Sequence, residues 1–197
     1  MLQIPPLSPD LTDEERLTAI REAYNENRSQ MTLMLAHQLR IPEVDILRAL
    51  EGDPAHELDF SRWEELIRAF EALGEVTVIV SNGAATLETF GQFGGFSNAQ
   101  GFLNVRSKSL DMHIHSWELA SVFAFRKPSH FDKHESLSFQ FFDKCGNSAF
   151  KVFLNFGGKD PALELMEKYT DLIKRFAKQG VPPSPNSSKI LCKSTQS

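Results

Sequence analysis

Residues 110–117 form the stretch of this sequence with the clearest capacity for chemistry. His113 and His115 lie two residues apart, and the positions that alternate with them, Met112 and Ile114, are apolar. Because side chains alternate between the two faces of a strand, this pattern predicts a half-buried strand with both imidazoles on its polar face. Two imidazoles on one face could bind a metal ion, ligate a haem iron or only line a hydrated sheet surface, and their spacing leaves all three open.

A metal site of the cupin type is one alternative. His113, His115 and Glu118 would offer imidazole and carboxylate ligands from nearby positions. The cupin pattern has a wider spacing before its glutamate and glycines on both flanks, and this sequence lacks them. His130 and His134 could add ligands, but they fall in a predicted loop after Pro128, where solvated histidines are the simpler interpretation.

A haem site accounts for more of the sequence. Haem needs an apolar slot for its ring, an axial donor such as imidazole, and cations for its propionates. His113 and His115 are the axial candidates, and phenylalanines on neighbouring predicted strands, Phe141 among them, could form either the slot or an ordinary core. The cations on these strands or at their ends, which could bind propionates or only solubilise a sheet face, are Arg106, Lys108, Arg126, Lys127 and Lys151.

Composition limits the class of protein. The chain has 197 residues, of which 41% are hydrophobic and 24% charged, enough for one core of domain size with a small appendage. A net charge of −5 argues against a protein that mainly neutralises nucleic-acid phosphates. We find neither a leader pattern nor a membrane-spanning segment, so we expect a cytoplasmic protein without membrane insertion. Cys145 and Cys192 are far apart and are expected to be reduced.

Three helices are predicted before residue 52. Thr12 and Glu15 form a capping box, so the first helix should run to about residue 25. Two shorter helical patterns cover 30–39 and 43–50, and they are separated by Pro42 because proline disfavours helix at the residue before it. This pair has the spacing of a helix-turn-helix.

The net negative charge of the second short helix disfavours a role in DNA recognition. It carries Glu43, Asp45 and Glu51 against Arg48 alone, whereas a recognition helix needs cations for phosphates and donors for bases. We therefore interpret 1–52 as a structural helical appendage and expect no nucleic-acid partner. A haem-responsive or metal-responsive DNA-binding regulator stays open as an alternative.

The remainder predicts an α+β fold. A helix over 63–73 should begin at a capping box formed by Ser61 and Glu64 and end at Gly74, and a last helix should run from Pro161 to Gly180. Alternating segments between them predict a meandering antiparallel sheet of about seven or more strands, flanked by helices. The predicted strands are 75–81, 84–91, 101–106, 110–117, 119–127, 136–143 and 148–156. We expect an N-terminal helix-turn-helix-like appendage (1–52), an α+β domain (53–179) and a disordered tail (180–197).

At this point the sequence resembles the cytosolic haem-utilisation carriers of the ChuX/HutX type, which are similar to each half of the HemS-type haem-trafficking proteins. No single motif is specific, and the order and spacing of several carry the resemblance. These are Ala36-x-x-Leu39-x-Ile41-x-x-Val44, Trp63 followed by Gly74-x-Val76-Thr77, Gly101-Phe102-x-Asn104-x-Arg106-x-Lys108, His113-Ile114, Arg126-Lys127, Gln140-Phe141-Phe142-Asp143-x-x-Gly146 and Lys151-Val152-Phe153-Leu154.

The resemblance implies a cytosolic homodimer that serves iron acquisition by binding b-type haem and passing it to a haem-degrading enzyme. It singles out His113 as the haem-linked histidine, with His115 as an alternative ligand or a polar neighbour. A second histidine that some members carry at the end of the first long strand is Ser81 here. This departure leaves the number of axial ligands open. Because no acid/base pair is evident, we favour a carrier over the alternative of a haem-degrading enzyme.

Overall fold

The computed structural model describes residues 4–128, 134–155 and 158–178. Five α-helices and nine strands make up this part of the chain, so the predicted α+β class is confirmed. The helices are α1 (Asp13–Glu26), α2 (Thr32–Leu39), α3 (Glu43–Ala49), α4 (Trp63–Ala69) and α5 (Leu163–Phe176). His130 and the tail predicted to be disordered lie outside the described residues. Among the helices described, none has both the length and the apolar composition needed to cross a membrane.

The strands divide into two antiparallel sheets, whereas the sequence pattern suggested one continuous meander. The larger sheet has six strands in the order β1-β7-β8-β9-β2-β3, so β2 lies beside β9 and not at the start of a sequential series. Its strands are β1 (Ala55–Glu57), β2 (Glu75–Ser81), β3 (Thr86–Gln92), β7 (Leu119–Pro128), β8 (Glu135–Asp143) and β9 (Ser148–Phe153). The smaller sheet contains β4 (Phe96–Ala99), β5 (Phe102–Arg106) and β6 (Asp111–Ile114).

Alternation along the central strands gives the larger sheet two apolar faces. On β7, Phe123 and Phe125 point to one face and Val122 and Ala124 to the other, and all four are buried. The first face packs on α1, α2 and α3, so the N-terminal helices share a core with the sheet. The second face packs on α4, α5 and the inner side of the smaller sheet.

A two-residue turn joins β4 to β5. Ala99 pairs with Phe102, and the two residues between them, Gln100 and Gly101, have φ of 53° and 85°. Positive φ at both positions is the geometry that matches the twist of a tight hairpin. The sequence pattern missed β4, because a four-residue strand with mixed polarity gives little periodic signal.

The predicted strand 110–117 is shorter in the structure. β6 ends at Ile114, and the chain then forms a 3₁₀ turn (Ser116–Glu118), in which the Glu118 amide donates to the His115 carbonyl. His115 therefore lies just beyond the strand, although both histidines remain on the exposed side. Ile114 is buried, as the alternation predicted.

Helix ends confirm some predictions and correct others. The capping box of Thr12 and Glu15 is present at α1. The second predicted box is wrong, because the Asp59 carboxylate accepts from the Ser61 amide and hydroxyl and caps a 3₁₀ turn (Phe60–Arg62) that precedes α4.

The last helix and one cysteine also differ from prediction. α5 begins at Leu163, two residues after Pro161, and ends at Phe176. Its charges match the helix dipole as predicted, with Glu164 in the first turn and Arg175 in the last. The expectation of reduced thiols was wrong for Cys145, which is disulfide-bonded.

Candidate functional site

The outer face of the small sheet positions the predicted histidine. Leu103, Val105 and Ile114 point inward and are buried, which fixes the opposite set of side chains toward solvent. Across the β5–β6 pair, His113 is the direct partner of Asn104. The side chain of His113 is 56% exposed, so its ring is accessible from outside.

A hydrogen bond to Asn104 orients the His113 ring. Nδ1 of His113 lies 2.5 Å from Oδ1 of Asn104. A carbonyl oxygen only accepts, so Nδ1 carries the proton, and Nε2 of the neutral ring keeps its lone pair. An imidazole held this way at one nitrogen is the usual arrangement for a histidine that ligates a metal through the other.

Aromatic side chains flank the histidines. The ring centroid of Phe102 lies 4.4 Å from that of His115 and 6.4 Å from that of His113. Trp117, 46% exposed, lies 5.3 Å from Phe102 and 5.2 Å from His115. We call Phe102, His113, His115 and Trp117 the aromatic cluster. The cluster presents a flat apolar surface beside an imidazole nitrogen that could ligate a metal.

Arg106 supplies a cation on the same face. It pairs with Asp111 across the strands, with 3.1 Å between guanidinium and carboxylate. The Arg106 side chain is 70% exposed, so the pair is solvated and contributes little to stability. Asp111 also lies 3.9 Å from Nε2 of His113. A single carboxylate therefore lies beside both the cation and the candidate ligand.

Of these side chains, those of Phe102, Asn104, Arg106, His113 and His115 border one open cleft of about 570 Å³. This volume falls in the range of about 300–1,000 Å³ typical of small-molecule sites. The lining residues come from all three strands of the small sheet and their connections: Gly95, Ser97, Ala99, Gln100, Phe102, Asn104, Arg106, His113 and His115. We call it the His113 cleft.

The structure brings only some of the predicted site residues together. His113, His115 and Arg106 line the His113 cleft, while Lys108 is exposed in the β5–β6 turn. Phe141 is fully buried and stacks on Phe150 with centroids 4.4 Å apart, so it belongs to the core and not to a ligand slot.

The other three predicted cations lie elsewhere. Arg126 pairs with Asp53 and Glu135 and borders a hollow beside α5. Lys127 and Lys151 border a separate cavity next to the N-terminal helices. These cations lie on long strands, at distant positions in the sheet. The sequence pattern did not predict the strand order that separates them.

Sequence reasoning missed Phe102 and Asn104 as site residues. Both belong to a motif that supported the family resemblance, yet no role was assigned to them. Phe102, Asn104 and Arg106 have the period of two that places them on one face, so the signal was present. What was missing was the register that sets Asn104 opposite His113.

Ser81 does not face the His113 cleft. It ends β2, where its hydroxyl oxygen accepts from Thr86, and it lines the cavity that contains Lys151. Within the parts of the chain that are described, no group of three or more His, Cys, Asp or Glu side chains could hold a metal ion. The cupin alternative of His113, His115 and Glu118 therefore has no assembled ligand set.

Comparison with known proteins identifies the family. The haem utilisation ChuX/HutX family matches residues 56–172, which is more than half of the chain. The chain belongs to the haem utilisation ChuX/HutX family. The matched region includes all of the small sheet, and therefore the whole His113 cleft, together with all of the large sheet except Ala55 and most of α5.

Individual relatives agree with the ChuX/HutX assignment. The intracellular haem transport protein HutX of Vibrio cholerae is 25% identical over 170 residues, covering 85% of this chain and 86% of HutX. A solved structure of the haem-binding protein ChuX has a TM-score of 0.69 at 17% identity, covering 79% of this chain and 97% of ChuX. The haem-degrading enzyme ChuS of Escherichia coli O157:H7 has a TM-score of 0.70 at 23% identity, and the match covers 85% of this chain but 48% of ChuS.

Proposed function

We propose that this protein binds haem in the His113 cleft and carries it within the cytoplasm to a haem-degrading enzyme. The observation that supports this best is the His113–Asn104 hydrogen bond, which holds an accessible imidazole with Nε2 as its acceptor nitrogen. Phe102, which packs against Trp117, offers apolar surface to the macrocycle, and Arg106 offers a cation to a propionate. The ligand is b-type haem, held by axial coordination and contacts.

The exposure of His113 fits a haem carrier better than a haem-degrading enzyme. His113 and Arg106 are both more than half exposed, so bound haem can leave without large rearrangement. Membership in a haem-utilisation family and the likeness to a haem transport protein agree with this role. A haem-degrading enzyme or a DNA-binding regulator is not proposed, because no specific feature favours either.

The regulator alternative conflicts with the packing of α3. Five of its seven residues are buried, and Asp45 on its outer side pairs with Arg16 and Arg48. A recognition helix must lay its side chains in a DNA groove, and α3 already uses most of its surface against the sheet and α1.

Titration with haemin tests the proposed site. Wild-type protein should give a saturable Soret band, and His113→Ala should weaken binding by more than the roughly tenfold expected for losing a group that only orients the ligand. His115→Ala is the matched control: it removes an imidazole from the same cleft, and binding should fall less. If His113→Ala binds as wild type does, His113 is not the ligand. If His115→Ala is the weaker binder, the ligand is His115.

Two measurements distinguish a haem carrier from a haem-degrading enzyme: transfer of haem to a recipient, and degradation of the bound haem. Mixing the haem complex with an apo haem-degrading enzyme should move the Soret band to the recipient faster than haem dissociates into buffer. The complex alone, given ascorbate and catalase, should keep its Soret band. Loss of the band with release of iron in the presence of catalase would contradict a pure carrier.

We also propose that the protein is a homodimer. β3 is one of the two edge strands of the large sheet and exposes Leu87 (66%) and Phe90 (61%). An exposed edge with large apolar side chains is a common site of association. Sedimentation should give a dimer for the wild type and a monomer for Phe90→Glu. A wild-type monomer at high concentration would contradict this.

A further inference from the structure

Asp111 contacts the side chain of Arg106 at the rim of the His113 cleft. Nε of Arg106 donates to Oδ2 of Asp111 at 3.2 Å, and Nη2 lies 3.1 Å from the same oxygen. The two residues are direct partners across the β5–β6 pair, so the strand register brings the two charges together. Both side chains are more than half exposed, and Asp111 itself does not border the cleft. The ion pair is therefore open to a competing ligand.

Arg106 provides the positive charge of the His113 cleft. Among the described residues that border the cleft it is the only lysine or arginine, and no aspartate or glutamate borders it. Lys108, in the adjoining turn, is exposed but lies outside this lining. An anionic group bound in the cleft therefore depends on Arg106, whose charge Asp111 already balances.

A haem propionate carries the same charged group as Asp111. A propionate at Arg106 must either displace Asp111 or bind a guanidinium whose charge is already balanced. In both cases it gains less than it would at an unpaired guanidinium. If both carboxylates stayed at the guanidinium, they would also repel each other.

The second oxygen of Asp111 lies near the candidate iron ligand. Oδ1 is 3.9 Å from Nε2 of His113, which is too far for a hydrogen bond. One carboxylate is therefore close to both proposed points of attachment, the imidazole for the iron and the guanidinium for a propionate. The two possible effects can be separated by experiment, because only the second depends on the charge of the propionate.

From this geometry we infer that Asp111 competes with a haem propionate for Arg106 and thereby limits the affinity of the His113 cleft for haem. The inference rests on the proposed haem site, and it adds a residue that determines how readily this site releases haem. When haem leaves, Asp111 pairs with the guanidinium again. A haem carrier needs exchangeable binding of this kind, because the haem must pass on to a recipient.

Haemin titration of Asp111→Asn tests the competition. Asparagine keeps the shape of aspartate but removes its charge, so the charge of Arg106 is available to a propionate. Haemin affinity should rise by about twofold to fivefold, the range expected for an exposed ion pair. Low ionic strength gives the clearest result, because salt screens exposed charges. The exposed pair contributes little to stability, so urea unfolding of Asp111→Asn should match that of the wild type.

Haemin dimethyl ester separates an effect on the propionates from an effect on the iron. It has the same iron and ring, but both propionates are uncharged esters. Asp111→Asn should raise the ratio of haemin affinity to ester affinity by about twofold to fivefold, with both ligands titrated in the same detergent solution.

Glu164→Gln is the matched control in the protein. Glu164 pairs with Lys168 on α5, so this variant changes the net charge of the chain by the same amount without touching the His113 cleft. Its haemin affinity should equal that of the wild type.

A double variant determines whether the effect of Asp111 depends on Arg106. Arg106→Met removes the cation, so haemin affinity should fall. Adding Asp111→Asn to Arg106→Met should then raise haemin affinity by less than it does in the wild type, because there is no guanidinium left to compete for.

Three results would overturn the inference. They are a haemin affinity of Asp111→Asn at or below that of the wild type, an equal rise for haemin and its dimethyl ester, and a full rise that persists in Arg106→Met. Each differs from failure of the proposed haem site itself, which would appear as unchanged haemin binding by His113→Ala.

Discussion

Nδ1 of His113 and Oδ1 of Asn104 lie 2.5 Å apart on directly paired positions of β6 and β5. The strand register sets this contact, because each residue faces outward only while Leu103 and Ile114 stay buried. Removing the amide oxygen frees the imidazole to rotate and to place its proton on either nitrogen. The contact therefore links the core of the small sheet to the proposed iron ligand.

Asn104→Leu should weaken haemin binding by about tenfold while His113 remains in place, because the loss of a group that orients a ligand usually costs that much. Absorbance titration of the Soret band measures the change. Asn98→Leu is the matched control: this nearby asparagine of β4 bonds Glu64, away from the His113 cleft, and its replacement should not alter haemin affinity. Equal affinities for Asn104→Leu and wild type would mean that the hydrogen bond does not orient the ligand.

Gly95→Ala should destabilise the small sheet. A Cβ at Gly95 would lie 2.1 Å from the Arg106 carbonyl oxygen, and the φ of 68° is already unfavourable for alanine. We expect a loss above about 3 kcal/mol, together with weaker haemin binding. Gly52→Ala provides the control, since its φ is 111° but nothing lies within 4 Å, and it should cost only about 1–2 kcal/mol. Urea unfolding compares the two, and equal losses would contradict the clash.

Lys151→Met should destabilise the protein by about 3–5 kcal/mol, because it leaves the buried Glu43 carboxylate without its cation. The two side chains are 14% and 2% exposed, so water does not replace the lost partner. Adding Glu43→Leu to this variant should recover much of the stability. Denaturant unfolding of the two single variants and the double variant measures the coupling. A double variant less stable than Lys151→Met would show that the ion pair is not the source of the loss.

Lys127 should make the protein more stable as the pH rises from about 8 to about 10. Burial lowers its pKa in the folded chain from 10.5 to about 8. Over that interval the unfolded lysine still holds its proton and the folded one does not, so stability increases with pH, by about 2 kcal/mol. Above this window the raised pKa values of the buried Tyr24 and Tyr169 act in the opposite direction.

Urea unfolding at a series of pH values in this window measures the slope. Lys127→Met should show a smaller rise than the wild type, since it has no proton to lose at this position. An identical slope in the two proteins would contradict a lowered pKa for Lys127.

The sequence by itself determined the α+β class, the helix cap at Thr12, the inward direction of Ile114 and the outward direction of His113. These features depend on periodicity and local hydrogen bonds within a few residues, which sequence patterns record directly. The order of motifs likewise predicted the haem-utilisation family that the comparison confirmed.

Only the tertiary structure decided which side chains share a site. Strand order places Lys151 and Arg126 at different hollows from His113, and packing buries Phe141, although all three had been grouped by residue type alone. The physical reason is that pairing between distant strands is set by the fit of whole faces in the core. That same fit placed Asn104 opposite His113 and Arg106 opposite Asp111.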